Sequence, residues 1–286
     1  MNTHTYIGDP DIKSFSYAVN KMREFFLKKG FIEVHTQDRL SILAACEDPN
    51  TVACYEYAGN TWPLPQTGQM WLEYELLKNP HIPGVFCVST SYRNEPNPVP
   101  GRHKIIFPMF EFESHGDMND LRNLEMELLE HMGFGNRDAM KTVTYDEAKK
   151  YYDVDELDHE HEKAMEHDYH YATFLENFPI ETSPFWNMKK GSKTHSQKID
   201  VILYGQETIG SAERSTNTDE MLSEFKTIEH GNYAQKLYDL FGQERVDREL
   251  QEYLTLDFFP RFGGGIGIGR MIQAMKKHGI IKDEVK

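Results

Sequence analysis

Residues 261–270 read RFGGGIGIGR. Three adjacent glycines, then alternation of glycine with isoleucine, make a strand against whose backbone another group can lie closely. Arg270 follows where the chain turns into a closing helix. Two common nucleotide motifs are excluded. A Rossmann turn needs GxGxxG leading into a βαβ unit near the start of its domain. Here Gly263, Gly265 and Gly267 alternate instead, and only a short helix remains before the C-terminus. No GxxxxGK[ST] loop occurs anywhere in the chain.

A second constraint is a strand–loop–strand unit. VFCVST (85–90) reads as a buried strand and IIFPMFEFES (105–114) as its aromatic–acidic partner. Between them stand YRNE (92–95) and the stiff loop EPNPVPGRH. Strand alternation puts Arg93 and Glu95 on one face, and Glu111 and Glu113 on one face of the returning strand. The planar fork of an arginine can grip a phosphate or carboxylate. Arg102 and His103 in the loop can reach further phosphates, and Phe107 can cover a purine ring. The same residues also suit a salt-bridged surface hairpin, and the pattern alone leaves both readings open.

The stretch DVILYGQE carries Asp200 and Glu207. Seven residues apart, they fall on opposite faces of a simple strand, unless a turn or bulge at Gly205 brings both to one cleft. Magnesium bound with ATP needs only one or two protein oxygens, which such a pair supplies; a solvated strand end is the alternative.

Elsewhere, helical spacing covers 12–30, 66–78, 117–133 and 235–254, and strands are expected at 31–36 and 198–205. Helices flanking mostly antiparallel strands give an α+β fold. The tract 153–171 is rich in acid and histidine, but His159, His161, His167 and His170 form no HExxH pattern, and it reads as a solvated helix. A formal net charge of -15 over 286 residues argues against a basic nucleic-acid surface. Cys46, Cys54 and Cys87 form no CxxC pair and fit a reducing, cytoplasmic setting. No signal peptide or long apolar run is present.

Together these segments resemble the catalytic domain of class II aminoacyl-tRNA synthetases of the aspartate/asparagine/lysine subgroup, over roughly 12–283. YRNE resembles the second signature of that family, in which the resemblance gives Arg93 the α-phosphate and the substrate carboxylate. By the same resemblance, Glu95, Arg102, His103, Phe107, Glu111, Gly267 and Arg270 bind ATP. Phe107 stacks on adenine, Glu111 lies near the adenine and metal region, and Arg270 crosses the adenine and γ-phosphate. Asp200 and Glu207 handle ATP and Mg2+. Glu47 would hold the α-ammonium of the amino acid, with Gln69, Leu72 and Arg214 around the rest of it. Arg93, Arg270 and Glu207 would be the catalytic groups.

Departures from the family pattern sharpen the expectation. Gln37 replaces a proline of the first signature, which bears on the homodimer the family implies. Leu72 stands where aspartate-specific members have lysine, and is closer to the asparagine-specific pattern. Arg261 replaces a histidine, and Gly269 an acidic residue. The GGGIG run is similar to that of ammonia-dependent asparagine synthetase. The catalytic pattern begins almost at Met1, so a single catalytic domain over 1–286 without an anticodon-binding barrel is expected. The resemblance therefore implies an ATP-dependent ligase that passes an acyl-adenylate to ammonia or another amine, with aspartate to asparagine as the named case. A tRNA ligase and a non-catalytic regulator are the alternatives.

Overall fold

In the computed structural model, which describes residues 11–36, 40–43, 47–96, 104–182 and 185–282, helix α1 (Ile12–Lys28) starts where the Asp11 carboxylate accepts from the Ser14 amide at 2.8 Å. Ala18, Met22 and Phe26, spaced four apart, form its buried stripe. Gly30 turns the chain at φ +82 into β1 (Ile32–Glu33). A small hairpin, β2 (Cys54–Tyr57) and β3 (Asn60–Pro63), precedes α2 (Gln69–Lys78). Then come β4 (Gly84–Tyr92), β5 (Ile106–His115) and α3 (Met118–Met132), the last opened by an Asp117 capping box and closed by Gly133 in the left-handed region.

The chain continues through β6 (Lys141–Thr144), α4 (Tyr145–Tyr152), α5 (His159–Asp168) and β7 (Ala172–Pro179). A hairpin follows, β8 (His195–Leu203) and β9 (Gln206–Glu213), turning through Tyr204 and Gly205 at positive φ. Helices α6 (Thr218–Thr227), α7 (Asn232–Phe241) and α8 (Gln243–Leu254) lead to β10 (Arg261–Gly267) and α9 (Ile268–Lys277).

Among the described residues one mixed sheet runs β1-β4-β5-β10-β9-β8-β7-β6. Its outermost pairs, β1 with β4 and β6 with β7, are parallel, and the interior is antiparallel. The α+β expectation holds. Phe110 and Phe112 of β5 point to one face, where each packs on Phe26 of α1 at 5.2 Å between centroids. This core also takes in α3 and α9. Met109, Glu111 and Glu113 alternate to the other face, where a second cluster built on Met70, Trp186, Phe225 and Tyr253 covers one end. Among the described residues no helix is long and apolar enough to cross a membrane.

Three expectations change. The strand expected at 31–36 is regular only over Ile32–Glu33. The helical stretch 235–254 breaks at Gly242, whose φ of +83 cannot continue a helix. Strands β7 and β9, which no periodicity flagged, supply two interior positions of the sheet. The acidic tract does form a helix, α5, capped by Asp158 and buried mainly at Met165.

Glu125 of α3 is fully buried against the sheet, and burial pushes its carboxyl up to about 8 from 4.5. A raised carboxyl is protonated in the fold, so its contribution is complete at acid pH and lost as pH rises through about 8. Glu125→Gln should therefore abolish a stability loss on the order of a few kcal/mol that accrues as pH rises from 4.5 to about 8, seen as a flatter melting temperature across that window.

Candidate active site

Residues directly opposite in a ladder share a face. Glu111 pairs with Gly265, Gly265 with Gly210, and Gly210 with Asp200. One row across β5, β10, β9 and β8 is thus carboxylate, glycine, glycine, carboxylate. The neighbouring row is Glu113, Gly263, Ala212 and Lys198. Two strands in the middle of the sheet thus present a floor of glycines and one alanine, roughly 4.8 Å from strand to strand, over which the Met109 and Glu113 side chains reach. Gln69 borders it: a Cβ at Gly265 would meet Met109 Cε at 2.8 Å and Gln69 Nε2 at 3.8 Å. Gly265→Val should fill this lane and push the Met109 methyl aside while the protein still melts cooperatively, a comparison open to thermal melting.

At one end of the floor, Met109 pairs with Gly267, and Phe107 lies one pleat beyond on the same face. The Arg93 guanidinium sits 5.7 Å from the Phe107 ring centroid. Arg270, in the first turn of α9, folds against Gly267, and its Nη1 donates to the Glu207 carbonyl at 2.7 Å. Arg93, Phe107, Gly267 and Arg270 thus gather at one end of one face. Glu95 does not follow the expected alternation. The ladder stops once the Arg93 amide has bonded Ile105 O, and Asn94 bonds Thr51 O instead. Arg102, His103, Gln37 and Cys46 lie outside the described residues.

Glu111 is fully buried and accepts from the Gly68 amide at 2.9 Å and from the Thr67 and Ser89 hydroxyls. Its oxygens fix the N-terminal turn of α2, a structural task the expected adenine and metal role left out. The half-buried Glu47 lies beside the same turn and accepts from the Gln66 amide at 3.3 Å.

Leu72 departs from expectation. It is fully buried in a cluster with Leu76, Val85 and Cys87 between α2 and the sheet, so it lines no open subsite. The residue on the site-facing side of α2 is Glu73, one turn after Gln69. Arg214 donates to both Glu113 oxygens at 3.2 Å and to Gln69 Oε1 at 3.2 Å. Arg261 Nη2 meets Glu73 Oε2 at 2.5 Å, and the Tyr253 hydroxyl and Asn187 amide complete the shell of Glu73. Glu73, Glu113, Arg214 and Arg261 are all essentially inaccessible. Burial alone would raise Glu73, but Arg261 and Arg214 beside it hold it below the usual carboxylate range. Burial outweighs Arg214 at Glu113 and pushes that carboxyl up to about 7. The Glu113 carboxylate lies flat over Gly263, where any Cβ would overlap it.

At the opposite border, a bulge between Val201 and Ile202 shifts the register and brings Asp200 and Glu207 to one side. A Cβ at Gly210 would lie 3.0 Å from Glu207 Oε1 and 3.6 Å from Asp200 Oδ1. Asp200 Oδ1 is buried and has no hydrogen-bond partner among the described residues. Burial, with Glu207 adding to it and Lys198 opposing, pushes Asp200 up to about 7. Hard oxygen donors with one unmatched buried atom fit a divalent ion such as Mg2+, the other ligands coming from phosphate and water. Among the described residues no group of three or more metal-ligating side chains occurs, so a metal would depend on such outside ligands.

Residues 10–285 match the family model for tRNA synthetases class II (D, K and N). The chain belongs to this family. It is similar to the lysine–tRNA ligase of Methanoculleus marisnigri, 24% identical over 245 residues, covering 70% of this chain and 47% of that protein. The aspartate–tRNA(Asp) ligase of Picrophilus torridus is 26% identical over 234 residues, covering 72% of this chain and 53% of that protein. Among solved structures, asparaginyl-tRNA synthetase from Pyrococcus horikoshii complexed with asparaginyl-adenylate superposes with a TM-score of 0.75 at 21% identity, covering 93% of this chain and 64% of that one. The aspartyl-tRNA synthetase of Entamoeba histolytica gives 0.69 at 17% identity, covering 94% and 55%. The fold is therefore that of class II synthetases, and the chain spans about half the length of these two curated relatives.

Sequence reasoning missed Glu73, Gly210 and Lys198. Gly210 carried a usable signal, since a glycine inside an alternating segment marks a close backbone approach. Glu73 carried none, because its partner Arg261 stands 188 residues away.

Proposed function

We propose that this class II chain uses ATP to activate an amino-acid carboxylate as an acyl-adenylate, and then transfers the acyl group to the 3′ end of a tRNA. The observation that carries the reading is the glycine floor bordered by carboxylates, with Arg93 and Arg270 at one end. An α-carboxylate oxygen of the amino acid attacks the α-phosphorus of ATP, and the bond to the β-phosphate oxygen breaks, releasing pyrophosphate. Arg93 neutralises charge growing on the α-phosphate, and such preorganised charge acts most strongly where charge develops. Phe107 covers the adenine, while Arg270 faces the outer phosphates. Asp200 and Glu207 would hold Mg2+, which when bound offsets phosphate charge. Glu47 receives the α-ammonium beside Gln69.

The buried wall favours a neutral polar side chain on the substrate. Arg214 is bridged by Glu113 and Arg261 by Glu73, so the charges of the wall cancel pairwise once the pH is high enough to ionise Glu113. A lysine ammonium or an aspartate carboxylate brought there would be a buried charge without a spare partner.

The similar proteins named above are tRNA ligases, which supports tRNA over ammonia as acceptor. Purified protein, ATP, Mg2+ and each amino acid should give charging of total tRNA. Amide formation with ammonia and no charging would return the acceptor to the small amine the sequence first suggested. Neither product with any amino acid would end the transfer reading.

A further inference from the structure

Lys198 belongs to no role derived so far. It projects from β8 on the same face as Asp200, in the row of Gly263 and Ala212. Its ammonium bonds Asp200 Oδ2 at 2.8 Å and lies 4.0 Å from the centroid of Phe178, a buried ring. Only 18% of the Lys198 side chain is accessible. The ammonium is thus fixed from two directions, by a carboxylate and by an aromatic face. Glu207 and Glu162 add attraction from β9 and α5. One Asp200 oxygen is committed to an internal cation, while the other is buried and unmatched beside Glu207.

We propose that Lys198 is a positioning residue that shares Asp200 with the divalent ion of the nucleotide. The inference rests on the ATP-activating reading above and deepens it. With the ammonium in place, the carboxylate pair is partly neutralised and offers a bare divalent ion only one open Asp200 oxygen. Free metal is then held weakly, and the ion arrives with the phosphates that complete its oxygen shell. The ammonium also keeps the Asp200 carboxylate turned, so that Oδ1 rather than Oδ2 faces Gly210.

The test uses Mn2+ alone, with the full chain and no nucleotide, and follows the free ion by electron paramagnetic resonance. Lys198→Met should tighten Mn2+ binding by about tenfold or more, because a like charge a few ångströms from the ion is removed. Lys198→Arg should keep the weak wild-type affinity, and adding Asp200→Asn to Lys198→Met should erase the gain. The Mg2+ concentration giving half-maximal pyrophosphate exchange should fall in parallel in Lys198→Met. Unchanged or weaker Mn2+ binding in Lys198→Met overturns the proposal. So does a raised KM for ATP with unchanged metal affinity, which would make Lys198 a phosphate contact. If the Met variant melts below the assay temperature, Lys198→Gln carries the same comparison. The predicted order of Mn2+ affinities with no exchange for any amino acid would sink the ligase reading and leave the metal-sharing role standing. Normal exchange without that order would do the reverse.

Discussion

Arg93→Ala should lower amino-acid-dependent ATP–pyrophosphate exchange by roughly 10²–10³, with little change in melting temperature. The side chain is partly exposed beside Phe107 and is not part of the buried core, so its removal leaves packing nearly intact. On the proposed reading the loss should fall mainly on kcat, with the guanidinium acting where charge develops on the phosphorus. Arg93→Lys should recover only part of the rate, because an ammonium cannot reproduce the planar fork. A loss confined to the KM for ATP would instead make Arg93 a ground-state binding group.

The second large effect is on stability. Arg261→Met should cost about 3–5 kcal/mol in urea unfolding, because it leaves Glu73 buried without its strongest partner. Tyr253, Asn187 and Arg214 still touch Glu73, and they set the lower end of that range. Removing both charges together, as Glu73→Leu with Arg261→Met, should recover much of the loss, since no uncompensated charge then remains. A single-variant loss below about 1 kcal/mol would mean that the pair adds little to the folded state. The double variant should also alter which amino acids are activated, because a buried ion pair of the wall would be exchanged for two apolar side chains.

Why these two sites differ in legibility is a matter of range. Phe107 and the alternating glycines lie on strands whose two-residue period is visible locally, whereas Arg93 stands one residue past β4 and its place with them rested on the family resemblance. Strand β9 hid because its site face carries Gly210 and Ala212, while Ser211 and Glu213 turn to the other face, leaving no apolar alternation. The Asp200–Glu207 pair needed a bulge that spacing could not reveal, although the turn at Gly205 pointed to it. Leu72 was read by family position, yet the helical period turns it into the α2–β4 interface and turns Glu73 to the site. The polar wall is long-range throughout. Glu73, Glu113 and Arg261 come from α2, β5 and β10 and Arg214 from the residue after β9, and nothing local in the sequence shows that the four meet.

Direct trapping of the intermediate is the sharpest measurement. The protein, incubated with α-labelled ATP, Mg2+ and each amino acid in turn, is passed through a desalting column, and the bound label is identified. Labelled aminoacyl-AMP should stay with the wild-type protein for at least one amino acid, and should vanish in Arg93→Ala and Gly265→Val. Label recovered as ADP, or no retained adenylate with any of the twenty amino acids, would contradict activation over the glycine floor.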